Sequence, residues 1–153
     1  MISAIQRTVV NTVSSNWGCS CVFFRVGEFG VKLYQEKSER NGQFYRQQTL
    51  AAHNIAPKCW LPFTVSGPII KPLRDRRRVW HKAFGFVTEV AEPIAANNAE
   101  SWDRQYDQET EDFLKSDELD ALHNAYYKAM RAHYIDDHTA NYGRLKSKLV
   151  IID

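Results

Sequence analysis

One segment decides how the rest of the sequence is interpreted: Tyr134-Ile135-Asp136-Asp137-His138-Thr139-Ala140-Asn141. It offers the carboxylate of Asp136 and, five positions later, the amide of Asn141. The continuous apolar run Lys148-Leu149-Val150-Ile151-Ile152 follows, is typical of a short buried strand, and leads directly to Asp153. We expect a short hairpin between Asn141 and Asp153. Carboxylate and amide oxygens are the ligands that Mg²⁺ prefers, so the order Asp, Asn, hairpin, Asp indicates a site for metal-assisted chemistry.

An amphipathic helix precedes this segment. One face carries apolar and aromatic residues at spacings of three and four, and it is expected to be buried: Leu119, Leu122, Tyr126, Ala129 and His133. Ser116 is the predicted N-cap, and Asp117-Glu118 suit the positive end of the helix dipole.

The first half of the sequence predicts mainly strands. Gly27-Glu28 indicates the turn of a β-hairpin over 22–33, and a helix is predicted over 39–53 with Ser38 as its N-cap. The composition changes at Glu92-Pro93, after which the chain is acidic and then helical. The predicted strands are 8–13, 22–26, 29–33, 59–71 and 79–90. We therefore predict an α+β fold: a five-stranded antiparallel sheet with one helix over 1–91, followed by a small, mainly helical part over 92–153, together forming one unit.

Composition restricts the class of protein. The chain has 153 residues, 44% hydrophobic and 25% charged, which predicts a folded domain rather than a disordered segment. A formal net charge of +2 makes nucleic acid an unlikely partner, and the basic run Arg74-Asp75-Arg76-Arg77-Arg78 is expected to be a solvated loop. No apolar stretch is long enough to span a membrane.

The cysteines favour a reducing compartment. Cys19, Cys21 and Cys59 cannot all pair with one another, and the sequence has none of the Cys-x-x-Cys pairs that are typical of a zinc site. We expect reduced thiols and a cytoplasmic location.

Together with Gly30-Val31-Lys32-Leu33, the segment 134–141 resembles the protein-kinase-like superfamily. Asp136 matches the catalytic aspartate, Asn141 the metal-binding asparagine and Asp153 the metal-binding aspartate. The form Asp-x-His-x-x-Asn is similar to that of aminoglycoside-phosphotransferase-like and other atypical kinases. Tyr134 stands where the usual motif begins with His.

The resemblance covers about residues 14–153 and implies an ATP site. Lys32 would hold the α- and β-phosphates. The glycine-rich loop would lie over 17–23, with Gly18 and Ser20 contacting the nucleotide.

Thr88–Glu92 resembles the hinge, where Glu89 and Ala91 would receive the adenine. We expect Lys32 to face one cleft with Asp136, Asn141 and Asp153, behind this segment.

Two features depart from the family. Kinases pair the lysine with a glutamate on the following helix, whereas this helix offers Gln47 or Gln48, with Glu36 and Glu39 nearer its start. The sequence also ends at Asp153, without the Phe-Gly, activation segment and later helices of a kinase. A minimal kinase, a degenerate kinase and a fragment are all compatible with this pattern.

The resemblance therefore implies a phosphotransferase dependent on ATP and Mg²⁺, with a protein as its expected partner or substrate. The alternative is a pseudokinase-like module that regulates a partner protein without catalysis. A third, weaker interpretation is an inhibitor that has the fold but binds no nucleotide. The sequence does not identify the phosphate acceptor.

Overall fold

The computed structural model describes residues 1–10, 21–72, 77–94, 112–132, 134–135 and 141–153. Within them the chain has an α+β fold with two antiparallel sheets. The elements are α1 (Ile2–Val9), β1 (Cys21–Val26), β2 (Phe29–Tyr34), α2 (Lys37–Ala52), β3 (Cys59–Pro72), β4 (Arg77–Glu89), β5 (Glu92–Pro93), α3 (Asp117–Met130), β6 (Tyr142–Leu145) and β7 (Lys148–Ile151).

The first sheet has the order β1-β2-β4-β3. Strands β1 and β2 form the predicted hairpin, and its turn places Gly27 at φ 64, a left-handed conformation that glycine adopts without steric cost. In the described residues this first sheet has four strands, where five were predicted. The predicted first strand, 8–13, is wrong in its described part because Thr8 and Val9 belong to α1.

Helix α1 forms because its apolar residues meet the sheet at helical spacing. Ile5 and Val9 are buried one turn apart, and Gln6 donates a hydrogen bond to the Ser66 carbonyl at 3.2 Å. The β-branched run that predicted a strand is overridden by this tertiary packing.

The two faces of the sheet bury different side chains. Successive residues of a strand point to opposite faces. Val31 and Leu33 of β2 therefore pack with Ile5 and Val9 of α1. Tyr34 packs on the other face, where Phe44 of α2 lies. Lys32 shares the face of Tyr34, so this alternation directs it toward α2.

The second sheet has the order β5-β6-β7. The hairpin of β6 and β7 confirms the one expected before Asp153, whereas β5 was not predicted. The described residues after 92 form the predicted helix α3, a helical turn at 112–114 and the β6–β7 hairpin, which pairs with the end of β5. Helix α3 has the predicted Ser116 cap but ends at Met130, with Arg131 in a left-handed conformation at φ 50.

A second core joins the two halves of the chain. Leu50 of α2 and Leu119 of α3 are buried in it together with Ile151 of β7. The Ile151 N–H also donates to the Ile55 carbonyl at 2.9 Å. This hydrogen bond holds the end of β7 against the segment that follows α2. None of the described helices is long and apolar enough to cross a membrane.

Candidate functional site

Lys32 lies where the two halves meet. It pairs with Phe86 in the sheet, and its side chain is only 11% exposed. Its amine donates a hydrogen bond to the Ile152 carbonyl and lies 3.9 Å from the Asp153 carboxylate oxygen Oδ1. An ammonium group this deeply placed requires polar partners, and here they come from the end of the β6–β7 hairpin.

Asn141 and Asp153 flank that hairpin and are held side by side. The Asn141 carbonyl accepts hydrogen bonds from the Ile152 N–H at 2.8 Å and from the Asp153 N–H at 3.4 Å. The Asp153 side chain is 36% exposed, so its carboxylate can reach both Lys32 and solvent. The structure thus places Lys32 beside the Asp153 side chain, and the main chain of Asn141 beside that of Asp153. Their chemical roles stay predictions.

The segment after β4 passes beside the same hairpin. A Cβ atom built on Gly143 would lie 2.9 Å from the Glu92 carbonyl oxygen and 3.0 Å from Ile152 Cγ2. It would also lie 3.3 Å from the Ala91 Cβ. Glycine at this position therefore allows the predicted hinge to approach the strand end that contacts Lys32.

Glu89 has a structural partner within this segment. Its main-chain N–H donates to the Lys58 carbonyl at 2.9 Å, and its carboxylate accepts from the Lys58 N–H at 2.8 Å. These two hydrogen bonds between Glu89 and Lys58 hold the end of β4 against the start of β3. The side chain of Glu89 is therefore engaged, and any adenine contact in this segment would fall to main-chain groups.

The helix α2 does not direct a glutamine to Lys32. Gln47 is buried, and its amide donates to the Pro57 carbonyl at 2.9 Å and to Thr88 Oγ1 at 2.7 Å. Gln48 is exposed. Of the two glutamines that the sequence offered, Gln47 does not face Lys32, because its amide nitrogen donates to Pro57 and Thr88 and so joins α2 to β4 and to the segment before β3.

Arg46 is a site residue that the sequence did not reveal. Its Nη2 lies 3.5 Å from the Asp153 carbonyl oxygen, and its guanidinium lies 5.7 Å from the centre of the Tyr126 ring. A cation on a helix is ordinarily solvated, and only the approach of α3 and β7 to α2 brings this one to Asp153.

Two buried titratable groups near Lys32, the Tyr34 hydroxyl and the Cys59 thiol, have raised pKa values. Burial raises the pKa of the Tyr34 hydroxyl, and Cys21 and Asp153 raise it further. Burial also raises the pKa of the Cys59 thiol to about 11, although the nearby charge of Lys32 acts in the opposite direction. Asp153 is the only described carboxylate within ion-pair distance of Lys32.

Three predicted site residues lie outside the described residues: Asp136, Gly18 and Ser20. Among the described ones, no group of three or more His, Cys, Asp or Glu side chains could hold a metal ion by itself. A single carboxylate and a neighbouring asparagine still suit Mg²⁺, which usually takes few protein ligands and completes its shell with phosphates and water.

No family model, curated protein or solved structure matches this chain. The function therefore has to be inferred from the site itself. Lys32 supplies a buried cation, Asp153 a partly exposed anion, and Asn141 lies next to it. Cations and carboxylates are the groups that proteins use to bind phosphates and divalent cations.

Proposed function

We propose that the protein is an Mg²⁺- and ATP-dependent phosphotransferase of the protein-kinase-like superfamily, with a protein as the expected substrate. The observation that carries this proposal is the approach of Lys32 to Asp153. Lys32 lies in β2 and Asp153 follows β7, so the two residues are far apart in sequence. The protein-kinase-like superfamily uses the corresponding residues to bind phosphate and metal.

The order of the elements supports the proposal. The strand with Lys32 is followed by α2, by two long antiparallel strands, and by the connecting segment 88–92. Helix α3 comes next, and the β6–β7 hairpin leads to Asp153. The resemblance implies this succession, from the lysine strand through the hinge to the metal aspartate.

Each residue then has a defined task. Lys32 would bind the phosphates, and Asn141 and Asp153 would hold Mg²⁺. The main-chain groups of Val90 and Ala91 would face the adenine, since those of Glu89 are engaged by Lys58 and Thr88. Magnesium, when bound, would neutralise charge on the phosphates. Asp136 would orient or deprotonate the acceptor hydroxyl.

The pseudokinase-like alternative is favoured by one observation. Helix α2 places Gln47 against Thr88 and supplies no described carboxylate to Lys32. The lysine–glutamate pair of active kinases is therefore replaced, and binding without phosphate transfer remains the second candidate function.

Two measurements separate these functions. We expect Mg-ATP to raise the melting temperature of the wild type, and we expect labelled ATP to transfer phosphate to a protein acceptor or to the chain itself. Asp136→Asn should retain the thermal shift and lose the transfer, whereas its neighbour Asp137→Asn serves as the control. Mg-ATP binding with no transfer by the wild type would favour the binding module. The absence of a thermal shift would contradict the phosphotransferase function and leave a module that binds a partner protein without nucleotide.

A further inference from the structure

Arg46 stands at the junction of three elements. It belongs to α2, its guanidinium lies over the ring of Tyr126 on α3, and its Nη2 is 3.5 Å from the main-chain oxygen of Asp153. Tyr126 is buried, and an aromatic face attracts a cation at this distance. The ring therefore limits where the guanidinium can go and keeps it directed toward Asp153.

The charges around Asp153 differ from those of a lysine–glutamate arrangement. Lys32 approaches the Asp153 carboxylate, and Arg46 approaches its carbonyl oxygen. Two cations thus approach Asp153, Lys32 at its side chain and Arg46 at its main chain, and α2 supplies the second of them.

We infer that Arg46 is a positioning residue that links α2 to the metal aspartate, in place of the link that a helix glutamate would make to Lys32. This inference rests on the proposed function. Arg46 contacts the main chain of Asp153, so it would hold in place the residue whose carboxylate would bind Mg²⁺. Groups that orient a metal ligand commonly change metal affinity by about 10-fold or more.

The geometry separates this role from that of Lys32. Lys32 faces the Asp153 side chain and would contact the phosphates directly, so its loss should weaken ATP binding with or without metal. Arg46 contacts the Asp153 main chain, so its loss should weaken the response to Mg²⁺ and leave metal-free ATP binding nearly unchanged.

The test is a titration of Mg²⁺ at fixed ATP, followed through the melting temperature. We expect Arg46→Met to raise the Mg²⁺ midpoint about 10-fold. Arg46→Lys should raise it about 3-fold, because an ammonium keeps the charge but lacks the planar fork. Lys37→Met removes an exposed cation from the same helix and should leave the midpoint within about 2-fold.

The outcomes are distinct. A lower melting temperature for Arg46→Met with an unchanged midpoint would show a purely structural role and overturn the inference. An equal loss of ATP binding in EDTA would overturn it as well, since Arg46 would then be a phosphate ligand. Should Arg46→Met fail to fold, an unchanged midpoint in Arg46→Lys overturns it. A wild type without any Mg-ATP shift would instead refute the proposed function, and the inference with it.

Discussion

Lys32 Nζ and Asp153 Oδ1 lie 3.9 Å apart, although Lys32 precedes α2 and Asp153 follows the last strand. Two separate features create this contact. The alternation of β2 turns Lys32 toward α2, and the hydrogen bond from Ile151 to the Ile55 carbonyl holds the end of β7 beneath it. The site therefore depends on the packing of the second half of the chain against the first.

The close approach at Gly143 predicts a sensitive position. An added Cβ would meet the Glu92 carbonyl oxygen at 2.9 Å, and main-chain atoms cannot yield as a flexible side chain does. We expect Gly143→Ala to lower the free energy of unfolding by about 1–3 kcal/mol. It should also weaken stabilisation by Mg-ATP, because Ile152 is displaced. Urea unfolding with and without Mg-ATP measures both effects.

Gly42 provides the matched control. It lies inside α2, and a Cβ built there meets nothing within 4 Å. Gly42→Ala should therefore raise the free energy of unfolding by roughly 0.5–1 kcal/mol through helix propensity. Equal effects of the two substitutions would contradict the role given to Gly143.

The position of Gln47 predicts that a helix glutamate cannot simply be restored. Gln47→Glu would remove the donors to Pro57 and Thr88 and bury a carboxylate. We expect a loss of at least about 2 kcal/mol in the free energy of unfolding. ATP affinity should not improve.

Gln48, the exposed neighbour of Gln47, provides the control substitution. Gln48→Glu should change the free energy of unfolding by no more than about 0.5 kcal/mol. Tighter ATP binding by Gln47→Glu in an equilibrium titration would show instead that this side chain can reach Lys32.

An ion pair predicts the response of the β6–β7 hairpin to acid. Arg144 contacts Glu118 at 2.8 Å, and its hydrogen bond lowers the pKa of the Glu118 carboxyl, with the charge of Arg144 acting in the same direction. The stabilisation is therefore complete above the unfolded-state pKa of about 4.3 and is lost as the pH falls through the lower, folded-state value.

We expect a contribution of about 0.2–1 kcal/mol, because both side chains are largely exposed. Glu118→Gln should reduce the slope of unfolding free energy against pH below about pH 4.5. High salt should have the same effect on the wild type. An unchanged slope in both cases would show that the pair does not stabilise the fold.

The Cys59 thiol is predicted to react slowly in the folded protein. Its pKa of about 11 leaves only about one thiol in a thousand ionised at pH 8, and the side chain is buried. Alkylation by iodoacetamide, read by peptide mass spectrometry, should therefore be much slower at Cys59 in the native protein than in urea. Equal rates would contradict the burial of this side chain.

The sequence predicted elements whose signals are local. The hairpin turn at Gly27 and the Ser116 cap depend on neighbouring residues, and both are found. Helix α1 was missed because its β-branched residues favour a strand until Ile5 and Val9 meet the sheet. Strand β5 was missed because Glu92 and Pro93 have no strand preference and pair only where Gly143 permits the approach.

Lys32 and Asp153 were chosen as site residues because their sequence contexts resemble the protein-kinase-like superfamily. The structure places their side chains 3.9 Å apart, and their roles stay predictions. The roles of Gln47 and Arg46 could not be derived, because helical spacing does not show which neighbour each side chain meets. Those contacts arise only when β4 and α3 pack on α2.

The most direct test is a double-mutant cycle of ATP affinity, measured calorimetrically with Mg²⁺ and with EDTA. Lys32→Met and Asp153→Asn should each weaken Mg-ATP binding at least about 10-fold, and Asp153→Asn should remove the advantage of Mg²⁺ over EDTA. Because the two residues share one site, the double variant should lose less ATP binding free energy than the two single variants lose together. We expect a coupling free energy of about 1 kcal/mol or more. Additive losses, or a wild type that binds ATP no better with Mg²⁺ than with EDTA, would contradict a shared Mg-ATP site at Lys32 and Asp153.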